Sequence, residues 1–355
     1  MESDSIRFNM TTMRPVSAFT DRPYRQELEI ISSILHPIWP GILLAGLCSN
    51  LLNIIVFIKS GVKDGVTTLL LALSISDAVF LSLFSATIVP FSFSPLGAQR
   101  IPTVWTMYFL FFWPASTVYD FSSHIAVFLG ITRCACVSMP LRFKSVFTKK
   151  RTIFALIGLF CADILLHSPM LTVFRLGWVK DPLTNTTSLG LVRDSPSVHS
   201  TKQRINDTLN KNTIPWISFI TMVTCVALLT YKLYESSKVR SQPSNARSSE
   251  ESSSKSADTK PTQSHKLSPK DLKVVQSVVL VVTIFIVAQL PSLTYTAVRV
   301  ANSEFNGRGR LAFLASMCIK IGFTFDMLNA SVNIFVYYNY NSKYRSVFRS
   351  LLRLK

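Results

Sequence analysis

Apolar side chains run nearly unbroken through seven stretches, 35–58, 66–93, 106–131, 152–177, 214–234, 272–298 and 311–338, with polar segments between them. Each approaches the roughly 20 apolar residues an α-helix needs to cross a hydrocarbon core about 30 Å thick. Lipid offers no water to backbone N–H and C=O groups, so runs of this length satisfy them internally as helices. The pattern predicts an all-α membrane protein, a seven-transmembrane helix bundle with its termini on opposite sides. Beyond Tyr338 the pattern changes. Tyr344, Val347, Phe348, Leu351 and Leu352 fall on one helical face among Lys343, Arg345, Arg349 and Arg353, which predicts a short amphipathic inner helix after the seventh span.

Three regions follow: a tail over 1–32, a membrane domain over 33–340, and the amphipathic helix with the C-terminus over 341–355. Within the second, residues from about 235 to 267 shift to Ser, Lys, Glu, Gln and Pro, centred on Arg247 to Lys255. Such a segment buries too little apolar surface to order itself, and reads as a disordered inner loop whose serines suit phosphorylation.

Composition agrees with the membrane class. Of 355 residues, 48% are hydrophobic and only 16% charged, and the formal net charge of +18 raises the question of nucleic acid. The basic residues flank spans instead of forming one basic face, so they read as orientation signals and no nucleic-acid partner is expected. Lys59 and Lys63 follow the first span, and Arg142, Lys144, Lys149, Lys150 and Arg151 follow the third. Lys266, Lys270 and Lys273 precede the sixth, whereas the link between the second and third spans carries only Arg100. The N-terminus is therefore expected outside the cell and the C-terminus inside, in the plasma membrane. No apolar leader is apparent in residues 1–30. Sequons at Asn9, Asn185 and Asn206 fall on the predicted outer side, as glycosylation requires. All six cysteines lie in spans or at the inner end of the third, which leaves the outer loops without a disulfide framework.

Polar residues inside spans are costly, at roughly 2.5 to 3.5 kcal/mol for a charge at a helix centre, and persist where they face a polar interior. Asp77, Asp120, Lys320 and Asp326 are of this kind. Arg133 ends the third span, where it reads either as an anchor or as a switch. Pro291 interrupts the sixth span, removing a backbone hydrogen bond and creating a hinge.

These residues, taken in order, resemble the class A (rhodopsin-like) G-protein-coupled receptors. Arg133 matches the arginine that ends their third span and Pro140 the following loop proline, while Thr132 and Cys134 depart from the usual neighbours. Asn50 in the first span and Leu73 with Asp77 in the second match further signatures. Phe285 and Pro291 match the sixth-span motif, with Ala288 and Gln289 in place of cysteine and tryptophan. Asn333 and Tyr337 match the seventh, with Ile334 in place of proline. The stretch from Arg133 to Thr152 more specifically resembles molluscan chemosensory and peptide-type receptors.

The resemblance implies several roles. Asp77 is expected in a polar, possible sodium-binding pocket with Asn50, Ser122, Asn329 and Asn333. Arg133 is expected to pair with Asp271 as an inner lock, although Asp271 also reads as a helix-start residue. With Pro140 and Tyr337 this forms the surface for a heterotrimeric G protein, with arrestin and receptor kinases as further partners. Gln289 is expected to reach towards the Asp77 pocket. Ligand-pocket candidates are Asp120, which either contacts ligand or pairs with another helix, and Lys320 and Asp326. Ala115 stands where receptors for biogenic amines carry aspartate, and Met327 where opsins carry the retinal lysine, so neither ligand is expected. The long connection over 178–213 suits a lid over a pocket for a peptide or chemosensory cue. No metal cluster or activated nucleophile marks an enzyme. The alternative from another class is a seven-span ligand-gated channel or transporter.

Overall fold

The computed structural model describes residues 22–93, 102–139, 143, 145–180, 187–241, 269–302, 304–305 and 309–352. The helices are α1 (Arg22–Ser60), α2 (Gly65–Phe93), α3 (Pro102–Ser138) and α4 (Lys149–Leu171), followed by strands β1 (Phe174–Lys180) and β2 (Thr187–Arg193). Then come α5 (Pro196–Thr208), a π-helical turn at Leu209–Thr213, α6 (Ile214–Ser241), α7 (Pro269–Ala301), α8 (Ala312–Ser331), α9 (Asn333–Tyr340) and α10 (Ser342–Leu351).

Seven helical segments are long and apolar enough to cross a membrane, and they coincide in order with the seven apolar runs. Their outward faces are apolar: Leu44, Phe154, Leu165, Ile220 and Phe335 are all exposed. On a soluble protein such a surface would drive aggregation, whereas in a bilayer it meets lipid tails.

Local chemistry sets the boundaries. The turn from α1 into α2 passes through Gly61 at φ 78°, a backbone conformation that costs an L side chain strain. Asp64 then caps α2, its carboxylate accepting from the Thr67 backbone N–H at 2.9 Å and the Thr67 hydroxyl at 2.8 Å. Gly46 of α1 lets the first, second and seventh spans close up, since a Cβ there would meet the side chains of Ser331 and Leu81.

Four boundaries differ from expectation. The helix of the first span begins at Arg22, so the division at residue 32 falls within it. The fourth span stops at Leu171 instead of 177: Pro169 removes a donor, Thr172 caps the end, and Phe174 to Lys180 pairs as a strand with Thr187–Arg193. The connection over 178–213 is a hairpin followed by helix α5, which runs through the π-helical turn into α6 at Ile214, so that the helical segment of the fifth span extends back to Pro196. Finally, the seventh span is interrupted at Val332 although Ile334 replaces the proline expected there.

The interior divides into two apolar clusters. One packs Trp39, Leu43, Phe80, Leu81, Phe84, Ala115, Met327 and Ala330 in the half of the bundle that carries the hairpin. The other packs Phe57, Leu73, Ile125, Leu129, Met222, Phe285, Val336 and Tyr337, and extends to Tyr344 of α10. Asp77 lies between Leu73 and Phe80, Ser122 between Ala115 and Ile125, and Asn333 between Ala330 and Val336. A polar layer therefore separates the clusters.

The hairpin is held without a disulfide, and all cysteines among the described residues are free. Phe174 packs on Phe109 of α3 with ring centroids 4.7 Å apart. Lys202 reaches back from α5 to the Asp194 carboxylate at 2.6 Å and the Thr172 hydroxyl at 3.0 Å.

Candidate functional site

A cavity of about 280 Å³ opens among the second to seventh spans, in the half of the bundle that carries the hairpin. Aromatic side chains form one wall: Phe80, Phe84, Phe112, Trp113, Tyr119 and Phe323. Their contacts interlock, with centroids 5.0 Å apart for Phe80 and Tyr119 and 5.2 Å for Phe84 and Phe323.

The opposite wall is charged. Asp120 of α3 accepts through one oxygen from Lys211 Nζ at 3.1 Å and lies 2.9 Å from His167 Nε2 of α4. Lys211 also donates to the Ser116 hydroxyl at 2.8 Å. His124 Nδ1 meets the buried Asp163 carboxylate at 2.8 Å. Nearer the hairpin, Arg299 of α7 pairs with Asp207 of α5 at 2.6 Å. These contacts tie the third to sixth spans together through charge-assisted hydrogen bonds, the stronger class of polar contact.

The π-helical turn explains how Lys211 and Asn210 come to this wall. One wide turn shifts the helical phase, and the side chains bridge five residues back: Asn212 to the Asp207 carbonyl at 2.6 Å and Thr213 to the Thr208 carbonyl at 2.8 Å. Such turns recur at functional sites. Asn206 is 1% exposed and accepts from Asn210 at 3.1 Å. That burial leaves no room for a glycan, which corrects the expectation for this sequon. Asn9 and Asn185 lie outside the described residues.

Of the expected pocket residues, Asp120 and Asp326 line the cavity and Lys320 does not. Asp120 lines the cavity and pairs with Lys211 and His167 of other helices. Lys211, His167, Asp207 and Arg299 were not anticipated in the site. Asn206 with Asn210 and Asp207 with Lys211 are spaced four apart, the one sequence signal that this segment is helical.

At the floor of the cavity Gln289 of α7 donates to the Ser123 hydroxyl. It thus reaches the third span beside the Asp77 pocket, but does not bond to Asp77 itself. Phe285, one turn below, is fully buried, and α7 continues through Pro291.

The polar layer is only partly as expected. Ser122 donates to one Asp77 oxygen at 2.8 Å, and Asn333 donates to the other at 2.8 Å. Asn50 instead donates to the backbone carbonyls of Gly46 at 3.0 Å and Ala330 at 2.7 Å, bracing the first span against the seventh. Asn329 is buried with both amide atoms lacking a hydrogen-bond partner. A carboxylate with hydroxyl and amide oxygens nearby is a donor set suited to a hard cation such as sodium. Asp77 and Ser122 would supply the first oxygens.

At the far end Arg133 is 9% exposed, and the adjacent Thr132 is buried with its hydroxyl on the Leu129 carbonyl at 2.8 Å. Cys134 donates to the Cys225 carbonyl at 3.4 Å, joining the third span to the fifth. Tyr337 is buried between Phe57 and Tyr344. The Tyr344 hydroxyl, pushed up in pKa by burial and so kept protonated, donates to Asn53 at 2.6 Å and anchors the amphipathic helix. Pro140 and the side chain of Asp271 lie outside the described residues.

A family model described as the serpentine type 7TM GPCR chemoreceptor Srx matches residues 42–263, well over half of the chain. The chain belongs to that family. It is accordingly a seven-helix, multi-pass membrane protein of a receptor family and not of an enzyme family. No curated protein matches the chain. For this chemoreceptor the aromatic and charged cavity is the candidate ligand site, and the end bearing Arg133 and α10 the candidate coupling surface.

Proposed function

We propose that the receptor lies in the plasma membrane with its N-terminus outside, binds an extracellular cue in the cavity in the hairpin-bearing half of the bundle, and activates a heterotrimeric G protein at the opposite end. The observation that carries this reading is the placement of Gln289. It joins the cavity floor to the third span, one residue from Ser122 of the polar layer, on the helix that carries the Pro291 hinge. A ligand that competes for this contact favours a state in which the lower half of the sixth span swings outward. The G protein then engages Arg133, Pro140 and Tyr337, and by linkage tightens ligand binding by the factor with which ligand promotes coupling.

Within this reading Asp271 restrains Arg133 at rest and sodium at Asp77 favours the resting state. The serines between α6 and α7, within 242–267, receive phosphate from receptor kinases and recruit arrestin, and Asn9 and Asn185 carry glycans. The resemblance to rhodopsin-like receptors supports the lock and the sodium site, the Ser-rich composition supports phosphorylation, and the sequons on the predicted outer side support the glycans. Between a peptide and a small chemosensory cue, the cavity volume of about 280 Å³ favours the latter.

The test is G-protein activation in cells expressing wild type, Arg133→Ala and Asp271→Ala at matched surface density, exposed to chemosensory and peptide pools. Ligand-dependent signalling lost in Arg133→Ala, with raised basal signalling in Asp271→Ala, is the expected result. Ligand-evoked current or uptake that persists without G protein and ignores Arg133 would place the protein among channels or transporters instead.

A further inference from the structure

We infer that the cavity recognises a small organic cation, an ammonium group held by Asp326 of α8 and enclosed by aromatic rings; this rests on the cavity being the ligand site. Four carboxylates line the cavity. Asp120 is matched by Lys211 and His167, Asp207 by Arg299, and Asp163 by His124. Asp326 forms no ion pair among the described residues, and its Oδ1 has no hydrogen-bond partner. The Tyr119 hydroxyl is the neighbour placed to donate to it, and brings no positive charge. Lys211, the nearest candidate to neutralise Asp326, is already engaged by Asp120 and Ser116.

A carboxylate in a low-dielectric pocket without a counter-charge is costly, and a ligand that brings the charge removes that cost. The surroundings suit a cation further. Phe80, Phe84, Phe112 and Phe323 line the same cavity, and Phe323 contacts both Phe84 and Phe112 at centroid separations of 5.2 Å and 5.8 Å. Ring faces attract ammonium groups, most strongly where water is excluded. Gly322, one turn before Asp326, lets the seventh span pack closely on the sixth beside the cavity, since a Cβ there would crowd Ser292. Ala115, where amine receptors carry their aspartate, is sealed in the apolar cluster, and Asp326 supplies a carboxylate from a different span.

The experiment measures the thermal unfolding of the purified full-length receptor with four probes of similar size. Phenethylammonium and benzyltrimethylammonium are the cations, 2-phenylethanol the neutral control, and 3-phenylpropanoate the anion. At about 10 mM each cation is expected to raise Tm by about 2 °C or more, with smaller shifts for the controls. Asp326→Asn abolishes the cation shift, and Asp326→Glu retains part of it, which separates loss of charge from loss of fold. The inference is overturned if neither cation raises Tm, if the alcohol or carboxylate does so equally, or if Asp326→Asn responds like wild type. Arg133-dependent signalling by a neutral or acidic cue would sink the cation while leaving the receptor reading intact. Cation binding without any Arg133-dependent signalling would do the reverse.

Discussion

Replacing Asp120 with asparagine keeps its shape and removes the charge that Lys211 and His167 share. The carboxylate is 17% exposed and Lys211 27%, so the pair is neither on the open surface nor fully desolvated. Exposed pairs contribute about 0.2 to 1 kcal/mol, and breaking a fully buried one costs about 3 to 5. An intermediate site places Asp120→Asn at about 2 kcal/mol, because Lys211 loses its ion-pair partner. Across a chain of 355 residues that lowers Tm by about 3 °C. Lys211→Met removes the other charge, and the double variant Asp120→Asn/Lys211→Met is expected to be less destabilised than the sum of the two by about 1 to 2 kcal/mol. Thermal unfolding of the four proteins in lipid nanodiscs, with surface density measured in parallel, closes the cycle. Additivity within about 0.5 kcal/mol would refute the pair as the fastener between the third and fifth spans.

Gly46→Val is expected to lower surface density and Tm, at about 1 to 3 kcal/mol, because its side chain meets Ser331 and Leu81 where three spans approach; expression with thermal unfolding checks it. Tyr344→Phe removes the bond to Asn53 and leaves that buried amide unmatched, costing about 1 kcal/mol or more. Its signature is faster hydrogen exchange over residues 342–351, and unchanged exchange there would show that the stacking on Phe57 and Phe348 suffices. Gln289→Leu loses the contact with Ser123 and is expected to raise basal signalling severalfold in a G-protein assay. A silent Gln289→Leu receptor at normal surface density would remove this contact from the switch.

The seven spans were legible because one physical requirement, about 20 apolar residues per crossing, leaves a plain mark in the sequence. Asp77, Ser122 and Asn333 were legible through the resemblance, which implied the layer that the structure assembles. The charged wall was not. Asp207 and Lys211 stand in a stretch too polar to read as a span, and their inward placement depends on a π-helical turn that no hydrophobic period announces. Lys320, which is not among the residues lining the cavity, is the converse case: a charge in an apolar run does not itself say which side of the helix faces the site.

What the third span joins suggests how the proposed switch divides its energy. Asp120, Ser122 and Ser123 sit within a single turn, facing the charged wall, the Asp77 layer and the sixth span in succession. Arg133 follows ten residues after Ser123, about 15 Å along the same helix. A ligand that displaces Gln289 from Ser123 therefore acts at the point where the cavity, the polar layer and the hinge meet. One such hydrogen bond is worth about 0.5 to 1.5 kcal/mol, enough to shift a conformational ratio by about tenfold and no more. Carrying a receptor from 1:99 to 99:1 takes about 5.5 kcal/mol. The cue alone would therefore populate the active state only in part, and most of the remaining shift would come from the partner bound at the Arg133 end. A ligand that produced the fully open sixth span in the absence of G protein, measured by distance labels on the third and sixth spans, would show that the cavity controls more than this one contact.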